Sequence, residues 1–379
     1  MSQRDFSLTP TQQQGLAVLL ADAAAIITPF LSVPVEAIKG YERLAHKPKF
    51  WVGRLRLTDT PTPFSVIVKH VPPEHYPAEP AQIAPDLRDE QLAYQFLNAL
   101  PEFDRLPHLF GQKPGLLVLE DLEPMRVNLP SDVWLTQLAD TLARLHGVCG
   151  RERTLYTRLR QEAGLGHYPG VGYPSANLWF GFLEGIRELK SWCDLLALPT
   201  PDWATLIQTA RTTLQAEGPF MTLIHTELAS ARNAIATRHG VCLVDFEGAC
   251  FGHALIDVAV AMIGRIEWQV SGQGYFLNHL PSEMTFADLY RQKWESWRGE
   301  RVADEQWQKE LATALIFVAG LAVGSARQAD AKYAAVQPLG ETLGEILRRL
   351  TGFLDQLNCF SELSSSLRTL HEGWAGLTP

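Results

Sequence analysis

Hydrophobic and polar positions along the chain divide it into a β-rich opening and a mainly helical remainder. Thr9-Pro10 precedes a helical pattern that runs to about Leu31; a threonine at N-cap followed by proline at N1 is a helix start. Three candidate strands follow, Val35 to Leu44, Phe50 to Leu57 (FWVGRLRL) and Phe64 to Val71 (FSVIVKHV). The second alternates and the third is a dense β-branched run. Between them Asp59-Thr60-Pro61-Thr62-Pro63 is a turn signal. A Pro-rich loop, Pro72 to Pro85, leads into a helix from Leu87 to Leu100, and Leu116 to Leu119 is a short strand before the polar pair Glu120-Asp121. Beyond it the pattern is helical: Val133 to His146, which Gly147 is expected to stop, then Trp179 to Leu196, Trp203 to Glu217, Ala254 to Arg265, Phe286 to Trp297, Asp304 to Ala326 and Leu339 to Leu357. This order predicts an α+β chain in two lobes with a cleft between them. A small β-rich N-lobe occupies residues 1–118, a linker 119–122, and a larger helical C-lobe 123–379.

One stretch breaks the helical part. LIHTELASARNAIATRHGVCLVDFEG, Leu223 to Gly248, sets apolar segments (Met221 to Ile224, Ala234 to Ala236, Val241 to Phe246) around a polar loop, with a turn at Arg238-His239-Gly240. A strand-loop-strand arrangement of this kind is expected to bring Glu227, Asn233 and Asp245 within reach of one site. Oxygen ligands from a carboxylate and a carboxamide suit a hard cation such as Mg2+, which takes further ligands from water and substrate phosphates. A second carboxylate in the loop is placed to accept a proton from a hydroxyl that attacks phosphorus. Asp245 ends an apolar strand, where aspartate has low propensity.

Composition narrows the reading little. The 379 residues are 46% hydrophobic and 20% charged, ordinary for a globular protein. The net charge of −9 argues against general phosphate attraction, hence against a nucleic-acid partner. Five scattered cysteines without a CxxC pair read as free thiols in a reducing compartment, and the eleven histidines form no HExxH. The N-terminal apolar run follows a long polar stretch and is interrupted by Asp22, unlike a signal peptide, and Leu311 to Gly324 is short of a membrane span. A cytoplasmic protein without a membrane partner is the expectation.

The motifs, taken together, resemble the aminoglycoside phosphotransferase and choline kinase-like family. The family pattern His-x-Asp-x-x-x-x-Asn, an apolar run, Ile-Asp-Phe-Glu and then Gly-Asp-Pro-x-x-Asp-Leu-Ala is matched here by HTELASARN and LVDFEGACFGHALIDVA. The resemblance covers roughly Val35 to Gly264 and implies a two-lobed protein-kinase-like fold. It implies an ATP- and Mg2+-dependent phosphotransferase acting on a hydroxyl of a small-molecule acceptor, such as an aminoglycoside, amino alcohol or sugar. Lys69 in SVIVKH resembles the phosphate-binding lysine, and Glu90 in RDEQLAYQFL its ion-pair partner. LLVLEDL resembles the adenine-binding linker, here Glu120 and Leu122, and LADTLARLHG the helix with a terminal Leu-His-Gly. Glu227 takes the catalytic position with His225 as a brace for the loop, Asn233 and Asp245 the metal positions, and Asp257 the anchor of the catalytic loop.

Each residue alone has a plainer reading. Lys69 reads as a solvated strand end, Glu90 as a helix surface charge, His225 as a core histidine and Asp257 as an N-cap or surface residue. The chain also departs from the family pattern. Glu227 replaces aspartate, and its extra methylene moves the oxygens by up to ~1.5 Å. Asn233 lies eight residues after His225, where the family has seven, and His253 stands where it has aspartate. The first hairpin loop, Ala45-His46-Lys47-Pro48-Lys49, lacks glycines. These departures keep a second reading open, a kinase-like nucleotide-binding or scaffold protein with little turnover. A third, a carboxylate-metal hydrolase, leaves Lys69, Glu90 and the linker unexplained. For the acceptor, Glu184, Glu188 and Asp194 offer charge and Trp179, Phe180, Phe182, Trp192, Trp268 and Tyr275 offer rings, and the same residues read equally as surface charge and core.

Overall fold

The computed structural model describes residues 8–31, 38–46, 50–57, 64–79, 82–165, 176–228, 232–269, 274–278, 284–333 and 340–375. Lys47-Pro48-Lys49, the Asp59 to Pro63 turn, the first residues of the expected strand at Val35 and part of the His225–Asn233 loop lie outside them. The chain divides into two compact units, residues 1–128 with 235–248, and residues 129–234 with 249–379. The second half of the expected hairpin is thus grouped with the β-rich unit, not with the helical part to which the sequence reading assigned it.

The first unit begins with α1 (Pro10–Leu31). Its start is a reciprocal cap: Gln12 N donates to Thr9 Oγ1 at 3.3 Å and Thr9 N to Gln12 Oε1 at 3.1 Å. β1 (Ile38–His46), β2 (Trp51–Leu57), β3 (Phe64–His70), β4 (Leu109–Lys113) and β5 (Leu116–Glu120) form an antiparallel sheet in the order β1-β2-β3-β5-β4. α2 (Pro85–Asn98) lies between β3 and β4 in sequence. The alternation seen in the sequence sorts the two faces of the sheet. Leu55, Leu57, Val66, Val68, Leu116 and Val118 enter one core with Leu19, Ala23 and Ile27 of α1. α1 is the one described helix long and apolar enough to cross a membrane, and this stripe is its contribution to the core. Arg54, Ser65, Ile67 and Lys69 occupy the opposite face, since β2 and β3 pair Arg54 with Ile67 and Val52 with Lys69. β4 was not foreseen: its LFGQK sequence is short and half polar.

The second unit is mainly helical. It contains α3 (Ser131–Cys149), α4 (Arg153–Glu162), α5 (Ala176–Leu195), α6 (Trp203–Leu214), α7 (Leu255–Ile263), α8 (Met284–Arg298), α9 (Asp304–Tyr333), α10 (Gly340–Leu357) and α11 (Ser361–Ala375). Gly147 does not stop α3, which continues to Cys149. A Cβ at Gly147 would lie 3.0 Å from Trp297 Cβ, so the glycine admits α8 against α3 and is no C-cap. α5 and α9 approach more closely, since a Cβ on Gly185 would fall 1.8 Å from the Gly320 carbonyl oxygen. Four short strands complete this unit. β6 (Met221–Ile224) pairs with β9 (Cys250–His253), and β10 (Arg265–Gln269) with β11 (Gly274–Asn278). The other two short strands, β7 (Ala234–Thr237) and β8 (Gly240–Leu243), pair with each other and belong, from Ile235 on, to the first unit. The Arg238-His239-Gly240 turn is therefore as expected, but β6 does not form a hairpin with β7: it pairs with β9, whose residues Cys250–His253 are all buried like its own.

Candidate active site

In the first unit, three elements converge on one cation. Lys69 on β3 is only 6% exposed, so its charge requires partners. Its Nζ lies 2.6 and 2.9 Å from the two carboxylate oxygens of Glu90 on α2 and is ion-paired with Asp245. The solvated and surface readings of Lys69 and Glu90 are thereby excluded, as Glu90 is fully buried. Asp245 follows β8 at φ +66°, a left-handed conformation uncommon outside glycine. Phe246 begins a short 3-10 turn (Phe246–Gly248) and donates its N–H to Glu90 Oε1 at 3.2 Å, with its ring against Tyr94. One carboxylate of α2 thus binds both the lysine and the segment carrying Asp245.

The electrostatics follow from two carboxylates sharing one ammonium. Burial works against the charge on Lys69, but Glu90 and Asp245 outweigh it and raise the lysine above its ordinary range. Burial raises Glu90 to about 7, and Asp245 and Glu247 add to this, while Lys69 pulls it down.

The linker residues sit at the end of β5. Glu120 N donates to His108 O at 2.9 Å, and Glu120 Oε2 accepts from His108 N at 3.1 Å. Leu122 is buried, and its carbonyl accepts from Met125 N at 3.0 Å. Between them Asp121, also buried, binds Arg54 and Ser65. Sequence reasoning noted Asp121 only as polar; two sheet residues more than fifty positions away give it partners.

In the second unit, Asp257 organises the loop after β6. It lies in the first turn of α7 and is fully buried, so it is neither an N-cap nor a surface residue. Its Oδ2 accepts from His225 N and its Oδ1 from Thr226 N, each at 2.7 Å. Thr226 has φ +70°, so the two bonds hold a β-branched residue in a disfavoured conformation. His146 of α3 contributes Nε2 at 3.1 Å from Asp257 Oδ2, and its Nδ1 lies 2.8 Å from the Tyr290 hydroxyl. The nitrogen facing the carboxylate carries the proton, which leaves Nδ1 to accept from Tyr290. The sequence held no signal for Tyr290; α8 brings it in.

Glu227 is held along its backbone. Its N–H donates to His225 Nδ1 at 3.3 Å and its carbonyl accepts from Asn233 Nδ2 at 3.0 Å. Asn233 therefore spends its amide nitrogen on the loop and retains a carbonyl oxygen suited to a hard cation. His253 also has an account: its Nδ1 accepts from Leu255 N at 3.4 Å at the start of α7, and its Nε2 faces Glu310 Oε2 at 3.1 Å.

Of the residues considered for an acceptor, Trp179 and Phe182 pack on Phe317, Glu184 pairs with Arg187, and Asp194 with Lys190. Glu188 is buried and Phe180 is exposed. The side chains of Trp268 and Tyr275 lie outside the described residues.

A model of the phosphotransferase enzyme family matches residues 54–320. No curated protein sequence matches the chain. Among solved structures, choline kinase from Cryptosporidium parvum Iowa II is similar at a TM-score of 0.51, with 9% identity over 94% of this chain and 99% of that one. Ethanolamine kinase from Plasmodium vivax has a TM-score of 0.49, with 11% identity over 93% of this chain and 95% of that one. At such identities the likeness is one of fold, a small antiparallel sheet and a larger helical part in the protein-kinase-like manner.

Proposed function

The chain belongs to the phosphotransferase enzyme family, and from that premise we propose that it moves the γ-phosphate of ATP to a hydroxyl of a small molecule. The observation that carries this reading is the buried Lys69, fixed by Glu90 and paired with Asp245. A lysine so held meets two phosphates with little loss of side-chain freedom. Leu122 offers the nucleobase its N–H, since its carbonyl is bound by Met125, and Glu120 offers a carbonyl.

In this reading Mg2+ would be held by the Asp245 carboxylate and by the oxygen that the Asn233 amide leaves over, donors whose chemistry suits a hard cation. When bound, the metal supplies positive charge to the phosphate oxygens. Glu227 orients the acceptor hydroxyl and takes its proton as the oxygen forms its bond to phosphorus and the bond to the ADP oxygen breaks. Asp257, through His225 N and Thr226 N, keeps the loop of Glu227 in place. The N-lobe of residues 1–118 and the linker at 119–122 provide the nucleotide's contacts in this scheme, and the helices of 123–379 the acceptor's.

The test is a γ-phosphate transfer screen over aminoglycosides, sugars, choline analogues and hydroxy amino acids, beside Asp245→Ala. Transfer that disappears in the variant supports the proposal. Tight binding of Mg·ATP without transfer to any acceptor would instead favour a weakly active nucleotide-binding protein, for which Glu227 in place of aspartate is the motivating observation.

A further inference from the structure

The face of the sheet that carries Lys69 carries a second polar cluster at its other end. Asp121, 5% exposed, lies between Glu120 and Leu122. Its Oδ2 accepts from Arg54 Nε at 2.5 Å and from Ser65 Oγ at 2.6 Å. Its Oδ1 accepts from Glu123 N at 3.1 Å and from Arg54 Nη2 at 3.4 Å. Arg54 is itself braced by β1, with Nη1 3.7 Å from Glu42 Oε2. The carboxylate therefore ties the segment after β5 to β2 and β3 by charge-assisted bonds, which are stronger than neutral ones.

The placement gives this tie a direction. Ser65 lies four residues before Lys69 on the same strand and the same face, about 13 Å away at the usual strand rise. That is the scale separating a nucleobase from the phosphates of one nucleotide. A carboxylate buried merely for stability needs no location on this face, and an apolar residue of similar volume would be as stabilising. Here the residue it fixes is the middle one of three whose outer two are assigned to the base.

We infer that Asp121, with Arg54 and Ser65, is a positioning residue for nucleobase binding, setting the backbone of Glu120 and Leu122 without touching the ligand. The inference rests on the nucleotide reading proposed above and adds to it the device that sets the linker backbone for the base.

The test compares wild type, Asp121→Asn and Ser65→Ala in calorimetric titrations with Mg·ATP and with Mg·tripolyphosphate, which has the phosphates and no base. Asp121→Asn is expected to weaken Mg·ATP about tenfold or more, the scale of one lost charged hydrogen bond. Ser65→Ala should weaken it less and keeps the test open if the first variant folds poorly. Neither should change the affinity for tripolyphosphate. Where wild type binds tripolyphosphate too weakly to titrate, the KM for ATP is read instead, and it should rise about tenfold with kcat unchanged. Parallel losses for both ligands, equal falls in kcat and kcat/KM, or no change in either variant overturn the inference. Failure of the wild type to bind Mg·ATP at all is a different result: it removes the nucleotide reading itself, and the positioning role with it.

Discussion

Asp257→Asn tests whether the loop after β6 is held by its anchor. The carboxylate has three donors, His225 N and Thr226 N at 2.7 Å and His146 Nε2 at 3.1 Å. An asparagine keeps one acceptor oxygen and turns an amide toward a donor, so at least one N–H loses its partner. A bond to a charged acceptor is worth about 1.5–3 kcal/mol, and a donor left buried costs about 1–3 kcal/mol. These overlap, and the expected destabilisation is about 3 kcal/mol, a large part of a typical folding free energy. The strain at Thr226, φ +70°, makes the loop the first part to move. A residue in that conformation stores about 1–3 kcal/mol, released when the anchor goes. A displacement of ~1 Å at Glu227 then costs on the order of a hundredfold in rate. Urea unfolding measures the first effect and kcat for phosphate transfer the second. A double-mutant cycle with Thr226→Gly isolates the link, because glycine adopts positive φ without strain. Coupled sites deviate from additivity by about 0.5–3 kcal/mol. A cost below about 1 kcal/mol for Asp257→Asn, or an additive cycle, refutes the assignment of Asp257 as the restraint on Thr226.

The other outcomes are shorter to state. Glu90 is raised from 4.5 to about 7, so between those values the folded chain holds a proton that the unfolded chain has lost. Stability from this group is therefore fully present below pH 4.5 and falls as pH rises to 7; the Tm of Glu90→Gln relative to wild type should rise across that window and level off above it, and a constant difference contradicts the assignment. Tyr290→Phe leaves His146 Nδ1 buried without its 2.8 Å partner and should cost about 1–3 kcal/mol in denaturant melts; His146→Phe made in the Tyr290→Phe background should add less than it does alone. Glu227→Asp, made on a backbone that cannot follow, should lower kcat by about tenfold to a hundredfold with the KM for ATP unchanged, and an unchanged kcat would remove Glu227 from the chemistry.

The sequence was most informative where period and chemistry coincide. The β-branched run around Lys69, the apolar stripe of α1 and the capped start at Thr9 needed only local patterns, and each has the expected element. The pairing of Lys69 with Glu90 was legible through resemblance, since no local signal relates two residues 21 apart. Partners brought by distant elements were illegible. β6 and β7 read as neighbours because they are close in sequence, whereas β9 is the strand that completes β6. Gly147 reads as a stop because glycine ends many helices; its actual constraint, the Trp297 side chain, belongs to α8. Asp121 and Tyr290 are the same case, polar groups whose partners lie 56 and 144 residues away.

The replacement of aspartate by Glu227 and the lengthened loop have a common physical frame. With its N–H bound to His225 Nδ1 and its carbonyl to Asn233 Nδ2, Glu227 has little backbone freedom with which to retract its longer side chain. The clamp is closed by Asn233, the residue proposed for the metal, so an insertion between the two lengthens the path without releasing either end. The additional reach of the glutamate, up to ~1.5 Å, then appears at the carboxylate itself. In the proposed reaction an acceptor hydroxyl must sit that much further from the loop backbone, or the side chain must fold to a shorter rotamer at a cost of order 0.5–1.5 kcal/mol if it leaves a staggered well. The first alternative demands no strain and changes only which acceptor fits. In the proposed reaction the glutamate then acts on acceptor geometry, while the nucleotide contacts proposed for Lys69, Glu120 and Leu122, with Glu90 and Asp121 holding them in place, stand on separate elements and do not depend on it.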